Sequence, residues 1–195
     1  WLKESNAAKL SINNREEKVA AVDEKIEIDL ELIGSTAIED RLQDEVADTI
    51  QFMKKTGIKV WVLTGDKIET AINIGVSAGL LDSNMTQHLV DEETIPELYS
   101  SLTLVNKKIK ESEKGIKQAI IVAGHSLVSI ESDENIRELF LKASDQVDVV
   151  LACRVSPKQK ADIVGMIRER FPQKITLSIG DGANDVSMIL RAHVG

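Results

Sequence analysis

Three apolar stretches of the chain each run into a short polar turn and then into a helical pattern, and this order constrains the fold more than any other feature. The stretches are Ile58–Leu63, Val147–Cys153 and Ile175–Ile179. The second is almost continuously apolar, which is typical of a strand buried on both faces of a parallel sheet. Strands that alternate with helices predict an open parallel α/β sheet with helices on both faces. Because ligands of such sheets bind beyond the carboxyl ends of the strands, we expect the three turns to face one site.

The rest of the chain predicts further helices, one short strand and an insertion. The spacing of apolar residues predicts a helix over 1–25 with a break at Asn13 and Asn14. It predicts further helices over 44–55, 67–78, 134–143 and 157–170, and one that begins at Val186. Leu30–Ile33 predicts a short strand, and Gly124–Ser126 predicts the turn of a hairpin that joins 119–123 to 127–130. The polar stretch over about 80–118 is too long for a normal connection, so it predicts an insertion with one or two helices.

Composition and charge exclude several classes of function. The 195 residues, 43% of them apolar, allow one domain with a sizeable core. The 24 Lys and Arg against 32 Asp and Glu give a net charge of −8, which argues against a protein that coats nucleic acid or an anionic membrane. The single cysteine, Cys153, excludes an internal disulfide framework and a multi-cysteine zinc site.

The sequence shows no pattern of a membrane span or of a secretion signal. No apolar run approaches the ~20 residues that a spanning helix needs. The chain opens on Trp1 and stops in a pattern typical of the middle of a domain, so we expect it to be an excised piece of a larger protein.

The turn after Ile179 carries the most specific chemistry of the chain. In the segment Gly180–Asp185, the carboxylates of Asp181 and Asp185 suit a hard cation such as Mg²⁺, and Asn184 can donate to a phosphoryl oxygen. A simpler interpretation is that Asp185 caps the following helix after a glycine turn. We favour a functional site, because six consecutive residues serve turn and polar chemistry beside a buried strand.

The turn after Leu63 offers a second set of phosphate-binding groups. The hydroxyl of Thr64 can donate to a phosphate oxygen, Gly65 allows a close approach of its backbone amide, and Asp66 can cap the following helix. Taken alone, Thr-Gly-Asp is also a common connection between a strand and a helix.

The helix after Cys153 supplies a cation. Ser156 and Pro157 predict its N-cap and first residue, and Lys158 and Lys160 can each reach a phosphate from its first turns. Most single lysines are merely exposed, so the residues alone leave this assignment open. Together the three turns provide a lysine, a metal carboxylate and a hydroxyl with an amide, which is the set that stabilises a transferring phosphoryl group.

The motifs in these turns resemble those of the P-type ATPases, and within that family the type IV lipid flippases. The resemblance is carried by Leu63–Lys67, by Cys153–Pro157 with Gln159 and Lys160, and by Gly180–Met188, and it extends to Leu32–Gly34, Ala37–Gln43 and Glu69–Gly75. It implies the Rossmann-like parallel sheet of the haloacid-dehalogenase-like phosphorylation domain. Residues 1–29 would end the nucleotide-binding region, and 30–195 would form the C-terminal part of the phosphorylation domain, with the insertion at about 80–118.

The resemblance implies a role for each phosphate-binding residue. Thr64 and the amide of Gly65 would hold the transferred phosphoryl group, and Asp66 would support their loop. Lys160 would be the lysine that binds the phosphate, whereas the family does not use the position of Lys158 for this purpose.

The resemblance also implies the metal and nucleotide contacts. Asp181 would bind Mg²⁺, Asn184 would bind a phosphoryl oxygen, and Asp185 would orient the phosphate-binding lysine and complete the metal shell. Arg154 and Arg41 would lie on the nucleotide side.

In a complete enzyme of this family, ATP phosphorylates an aspartate, the aspartyl phosphate is hydrolysed, and the cycle moves a phospholipid between membrane leaflets. The resemblance therefore implies ATP and Mg²⁺ as cofactors, and a cytosolic domain of an integral membrane protein. The expected partners are the phospholipid, an accessory membrane subunit and the remaining domains of the same chain. Nucleic acid is not an expected partner.

The sequence departs from the family at the nucleophile. The phosphorylated aspartate lies in an Asp-Lys-Thr-Gly-Thr motif, which this sequence lacks, so the sheet would be incomplete and the chain alone inactive. A soluble phosphatase of the same fold would need its own aspartate after an early strand, but Leu30–Ile33 is followed by Gly34–Thr36. A non-catalytic regulatory module is the other alternative that the sequence leaves open.

Overall fold

The computed structural model describes residues 1–11, 13–36, 42–113 and 115–195. Within it the chain divides into two units, Trp1–Arg41 and Leu42–Gly195. The second unit holds the sheet and all of the described candidate site residues.

The first unit contains two short helices, α1 (Leu2–Lys9) and α2 (Arg15–Asp23), which confirms the predicted helical pattern and its break. The predicted strand at Leu30–Ile33 is wrong, because this segment has no regular secondary structure. Leu32 and Ile33 are 90% and 96% exposed. A strand needs a neighbour for its backbone N–H and C=O groups, and no described residue pairs with this segment.

The second unit is built on a four-stranded sheet in which every pair of neighbours is parallel. The strands are β1 (Val60–Leu63), β2 (Thr86–Val90), β3 (Gln118–Ala123) and β4 (Val149–Cys153), and their order across the sheet is β1-β4-β3-β2. The predicted parallel α/β architecture is confirmed. Every residue of β3 and β4 is buried, which explains why these central strands are almost continuously apolar.

Helices cover both faces of this sheet. In the described part of the second unit they are α3 (Val46–Lys55), α4 (Ile68–Ser77), α5 (Ile95–Glu111), α6 (Gly124–Ser132), α7 (Glu134–Gln146), α8 (Pro157–Arg170) and α9 (Val186–Arg191). Side chains alternate along a strand, so Val150 joins a core cluster with α5, α7 and α8, whereas Leu151 joins the opposite cluster with α3 and α4. The sheet therefore carries one core layer on each face.

The region around the predicted insertion and hairpin differs from the sequence prediction. Besides the helix α5, the stretch contains β2, which pairs with β3 and forms an edge of the sheet. The predicted hairpin is wrong, because β3 leads directly into α6 at Gly124. Leu127 and Ile130 are apolar because α6 packs them into the core.

Ile175–Ile179 is also not a strand of the sheet, contrary to the prediction. An isolated parallel bridge joins Leu177 to Val194, and the amide of Ser178 donates to the carbonyl of Val194 at 2.9 Å. Ile175, Leu177 and Ile179 are 75%, 57% and 73% exposed. The segment carries the apolar alternation of a strand, but among the described residues it has no strand of the sheet beside it.

Candidate functional site

The turns after β1 and β4 lie side by side at the carboxyl end of the sheet. The amide of Arg154 donates to the carbonyl of Asp66 at 2.9 Å, and the amide of Val155 donates to the carbonyl of Thr64 at 3.1 Å. These bonds continue the pairing of the two neighbouring strands beyond their ends. They bring the Thr-Gly-Asp turn against Arg154, as expected for turns at one edge of a parallel sheet.

Thr64 and Asp66 hold each other within their turn. The hydroxyl of Thr64 donates to the carboxylate of Asp66 at 2.8 Å, and the amide of Asp66 donates to the same hydroxyl at 3.1 Å. The expected helix cap is wrong, because Lys67 occupies the N-cap position of α4 and no side chain caps that helix. Asp66 instead fixes the direction of the Thr64 hydroxyl, with the exposed Gly65 between them.

The helix α8 begins with a complete capping box. The hydroxyl of Ser156 accepts from the amide of Gln159 at 3.3 Å, and the side chain of Gln159 accepts from the amide of Ser156 at 2.9 Å. Pro157 occupies the first helical position, so the predicted start of this helix is confirmed. This local order fixes Lys160 at the fourth residue of α8.

The structure separates the two candidate lysines. Nζ of Lys160 donates to Oδ1 of Asp185 at 2.7 Å, and their side chains are only 7% and 10% exposed. Lys158 pairs with Asp162 at 2.7 Å, but its side chain is 80% exposed. A buried ion pair therefore joins the first turns of α8 to the Gly180–Asp185 turn, although 25 residues separate the partners.

The carboxylate of Asp185 is held for this lysine and not for the helix that follows it. The hydrogen bond from Lys160 lowers the pKa of Asp185 below its ordinary value, and the amide of Gly182 donates to the second carboxylate oxygen at 3.3 Å. Asp185 stands at the N-cap of α9, but its side chain makes no capping hydrogen bond there. A side chain on Gly180 would come within 2.6 Å of Cγ of Asp185, so only glycine fits beside this carboxylate.

The Gly180–Asp185 turn presents donor groups that fit a hard cation. Asp181 and Asn184 are exposed, whereas both carboxylate oxygens of Asp185 already have donors. Mg²⁺ keeps several waters and is commonly held by one or two carboxylates together with a phosphate. The described part of the chain contains no group of three or more His, Cys, Asp or Glu that could hold a metal ion. The exposed side-chain oxygens of Asp181 and Asn184 suit a Mg²⁺ ion that is shared with water and a phosphate.

The remaining predicted residues are placed only in part. Arg154 is exposed, and its backbone has a left-handed φ of 54°. Arg41 lies outside the described residues. Within the described ranges, no hydrogen bond joins the Thr64–Asp66 turn to the Gly180–Asp185 turn, so the site forms two clusters. One is bonded to the residues that follow β4, and the other is bonded to the start of α8.

Comparison with known proteins decides the family. Over its whole length the chain is 42% identical to the phospholipid-transporting ATPase DNF1 of Chaetomium thermophilum, and over 97% of its length it is 41% identical to the phospholipid-transporting ATPase IH of Homo sapiens. It is also 37% identical, over its whole length, to the phospholipid-transporting ATPase ID of Mus musculus. The chain belongs to the family of phospholipid-transporting P-type ATPases.

The chain spans 14%, 18% and 18% of the length of these three relatives. A scan against protein-family models finds no match. Among the residues that the structure describes, no helix combines the length and the apolar character needed to cross a bilayer. Membership of this family does not favour the soluble phosphatase or the regulatory module.

Sequence reasoning gave no positioning role to two residues beside this site, Gln159 and Gly124. The side chain of Gln159 donates to the carbonyl of Gly124 at 2.6 Å and so connects α8 to the start of α6. The spacing of Ser156 and Gln159 is the signature of a capping box, and it could have indicated that Gln159 has a fixed orientation. No sequence pattern indicates the contact with Gly124, because the two residues lie 35 positions apart.

Proposed function

We propose that this chain is part of the phosphorylation domain of an ATP-driven, phospholipid-translocating P-type ATPase. In this role it supplies the residues that bind the phosphoryl group and Mg²⁺ while an aspartyl phosphate forms and is hydrolysed. The observation that carries the proposal is the buried ion pair of Lys160 and Asp185, which sets a lysine beside the polar turn at Gly180–Asp185. The three compared relatives are phospholipid-transporting ATPases, which supports the substrate class.

Lys160 is suited to stabilise a transferring phosphoryl group by a fixed charge. Its side chain is 7% exposed, and Asp185 holds the ammonium group in position before any substrate arrives. A cation that is already oriented in a site without water needs little reorganisation during the reaction. Such electrostatic preorganisation is the largest source of transition-state stabilisation in many enzymes. Thr64 and the amide of Gly65 would bind the same phosphoryl group, with the Thr64 hydroxyl turning its single proton from Asp66 to a phosphoryl oxygen.

The exposed residues of the Gly180–Asp185 turn complete the proposed site. Asp181 would hold Mg²⁺, which when bound neutralises charge on the phosphoryl oxygens. Asn184 would donate to a phosphoryl oxygen, and Asp185 would keep Lys160 in place and support the shell around the metal. Arg154 and Arg41 would face the ATP.

Two uncovered features of this chain support the proposal that another part of the same protein supplies the nucleophile. Along β1 the residues Val60–Leu63 are only half-buried, and among the described strands β1 has β4 as its one neighbour. Ile175, Leu177 and Ile179 expose an apolar row that has no strand beside it in the described residues. A further strand would satisfy both features, and in this family that strand would bear the phosphorylated aspartate.

The remaining proposals concern the whole protein. The domain would lie in the cytosol as part of an integral membrane protein, with residues 1–29 at the end of its nucleotide-binding region. Its partners would be the phospholipid substrate, an accessory membrane subunit and the other domains of the same chain.

Phosphorylation with labelled ATP tests the proposal. The 195-residue chain and the complete protein that contains it are each incubated with Mg²⁺ and γ-labelled ATP, quenched in acid and separated on an acid gel. We expect the complete protein to carry an acid-stable label that hydroxylamine removes, as it does from an aspartyl phosphate. We expect no label on the chain alone. An Asp181→Asn variant of the complete protein should lose the labelled band. Acid-stable label on the chain alone, or an unchanged band in the Asp181→Asn variant, would contradict the proposal.

A further inference from the structure

A backbone contact between the ends of β3 and β4 leaves no room for a side chain at Gly124. A methyl group on Gly124 would overlap the carbonyl group of Arg154, since it would come within 2.8 Å of the carbonyl carbon. It would also lie 3.3 Å from the carbonyl oxygen of Cys153. Both neighbours are backbone atoms, so no side-chain rotation can relieve the overlap. The start of α6 therefore stays against the turn after β4 only if residue 124 is glycine.

Arg154, on the other side of this contact, has an unusual backbone. Its φ of 54° is left-handed, a conformation that is unfavourable for an L-residue with a Cβ atom. Its amide donates to the carbonyl of Asp66 at 2.9 Å, while its carbonyl lies against Gly124. The surrounding backbone thus holds Arg154 in a strained turn, and such strain persists where the structure around it over-determines the conformation.

Gln159 connects the same glycine to the helix that bears Lys160. Its Nε2 donates to the carbonyl of Gly124 at 2.6 Å, and its Oε1 accepts from the amide of Ser156 at 2.9 Å. Lys160 is the next residue along α8. One side chain therefore fixes the start of α8 to the start of α6, directly beside the buried lysine.

We propose that Gly124 is a positioning residue of the phosphate site. Its missing side chain lets the carbonyl of Arg154 pack against it, and its own carbonyl anchors Gln159. Through these two contacts it sets both the turn that holds Arg154 and the first turn of α8 that holds Lys160. The inference rests on the proposed function for the identity of the site, and Gly124 itself touches no substrate.

Substitution of two buried glycines separates positioning from a general loss of stability. Gly124→Ala is compared with Gly75→Ala, because the added methyl on Gly75 would meet only the flexible side chain of Leu81, at 3.1 Å. The ¹⁵N-labelled 195-residue chain is measured by two-dimensional NMR for both variants. We expect Gly124→Ala to move the amide signals of Ser156, Gln159 and Lys160, and Gly75→Ala to leave them in place even if it destabilises the chain.

A rescue variant keeps the test decisive if Gly124→Ala folds poorly. Arg154→Gly frees the strained backbone, and it is measured both alone and in the Gly124→Ala background. It should raise the urea midpoint more in the Gly124→Ala background than in the unsubstituted chain, restoring about half or more of the loss, because residues in contact show non-additive effects. Gln159→Ala cuts the second contact and should move the same amide signals of α8. Unmoved α8 signals in both Gly124→Ala and Gln159→Ala, or an Arg154→Gly change that adds to the damage, would overturn the proposal.

A titration with inorganic phosphate in the presence of Mg²⁺ links the effect to the site. Gly124→Ala should weaken phosphate binding about tenfold, a loss of about 1.4 kcal/mol, whereas Gly75→Ala should not. If the unsubstituted chain binds no phosphate, the result counts against the proposed phosphate site. The amide signals of α8 then still decide whether Gly124 positions this helix. Equal phosphate affinities for the two alanine variants would contradict the positioning role.

Discussion

Lys160 and Asp185 form a buried ion pair in which each charge depends on the other. Removing one partner leaves an uncompensated charge away from water, which is more costly than the pair itself is stabilising. Lys158 and Asp162 form a pair with the same 2.7 Å separation, but their side chains are 80% and 35% exposed, so solvent screens the interaction. Lys158 and Lys160 both lie in the first turns of α8, so the two pairs provide a matched comparison.

Asp185→Asn is expected to lower the free energy of unfolding by about 3–5 kcal/mol, because it leaves the buried charge of Lys160 without its partner. Asp162→Asn should change it by less than about 1 kcal/mol. Urea denaturation of the 195-residue chain measures both. The double change Lys160→Met with Asp185→Leu should cost less than Asp185→Asn alone, and a larger cost for the double variant would contradict this account of the pair.

The same pair makes a specific contribution to the pH dependence of stability. The pKa of Asp185 is lowered in the folded chain by the hydrogen bond from Lys160, so the folded state holds fewer protons than the unfolded state near the ordinary aspartate value. The stabilisation is complete above about pH 4 and is lost as the pH falls through the lowered pKa of the folded state. The difference between the unsubstituted chain and Asp185→Asn should therefore shrink below about pH 4, and a difference independent of pH would count against the ion pair.

At the scale of elements, the start of α8 is fixed by hydrogen bonds between neighbouring residues. Ser156 and Gln159 satisfy each other's backbone amides, and Pro157 fits the first helical position. The helix then carries Lys160 towards Asp185. The quality of this cap thus determines how firmly the lysine is placed.

Ser156→Ala is expected to lower the free energy of unfolding by about 1 kcal/mol, since it removes the side-chain acceptor of the capping box. Thr94→Ala is the control, because Thr94 is the N-cap residue of α5 but caps no backbone N–H there. Thermal or urea unfolding of the two variants gives the comparison. Equal losses for Ser156→Ala and Thr94→Ala would show that the capping box adds nothing to the hold on α8.

The elements that could be predicted from the sequence are those specified by local chemistry. The buried strand β4 and the start of α8 follow from an apolar run and a Ser-Pro pair. The strand β2 was missed because three of its five residues, Thr86, Gln87 and His88, are polar, although His88 is buried. Gly124 suggested a hairpin turn, but it is glycine because the backbone of Arg154 packs against it.

The candidate site was predictable only where its functional residues are adjacent in the sequence, within one turn. The residues of the Gly180–Asp185 turn and the Thr64–Asp66 turn stand together in the sequence. The choice between Lys158 and Lys160 could not be made from spacing, because it depends on which lysine meets Asp185 across 25 residues. It was the family resemblance that favoured Lys160, and the contact with Asp185 agrees with that choice.

At the scale of the whole molecule, the chain spans 14–18% of the three compared relatives, and its sheet has features that a larger protein would complete. The apolar row of Ile175, Leu177 and Ile179 is exposed, and β1 is an edge among the described strands. In the proposed ATPase the chain would provide the phosphate and metal residues, and another segment the phosphorylated aspartate. The function then belongs to the assembled protein, with Lys160 at its centre.

The measurement that tests this central claim most directly is the rate of phosphoenzyme formation from γ-labelled ATP by the complete protein. Lys160→Met is compared with Lys158→Met, which changes an exposed lysine two positions away, and both are purified to the same folded fraction by gel filtration. The account predicts a rate lowered by about a hundredfold or more for Lys160→Met and an unchanged rate for Lys158→Met. Equal rates for the two variants would contradict it.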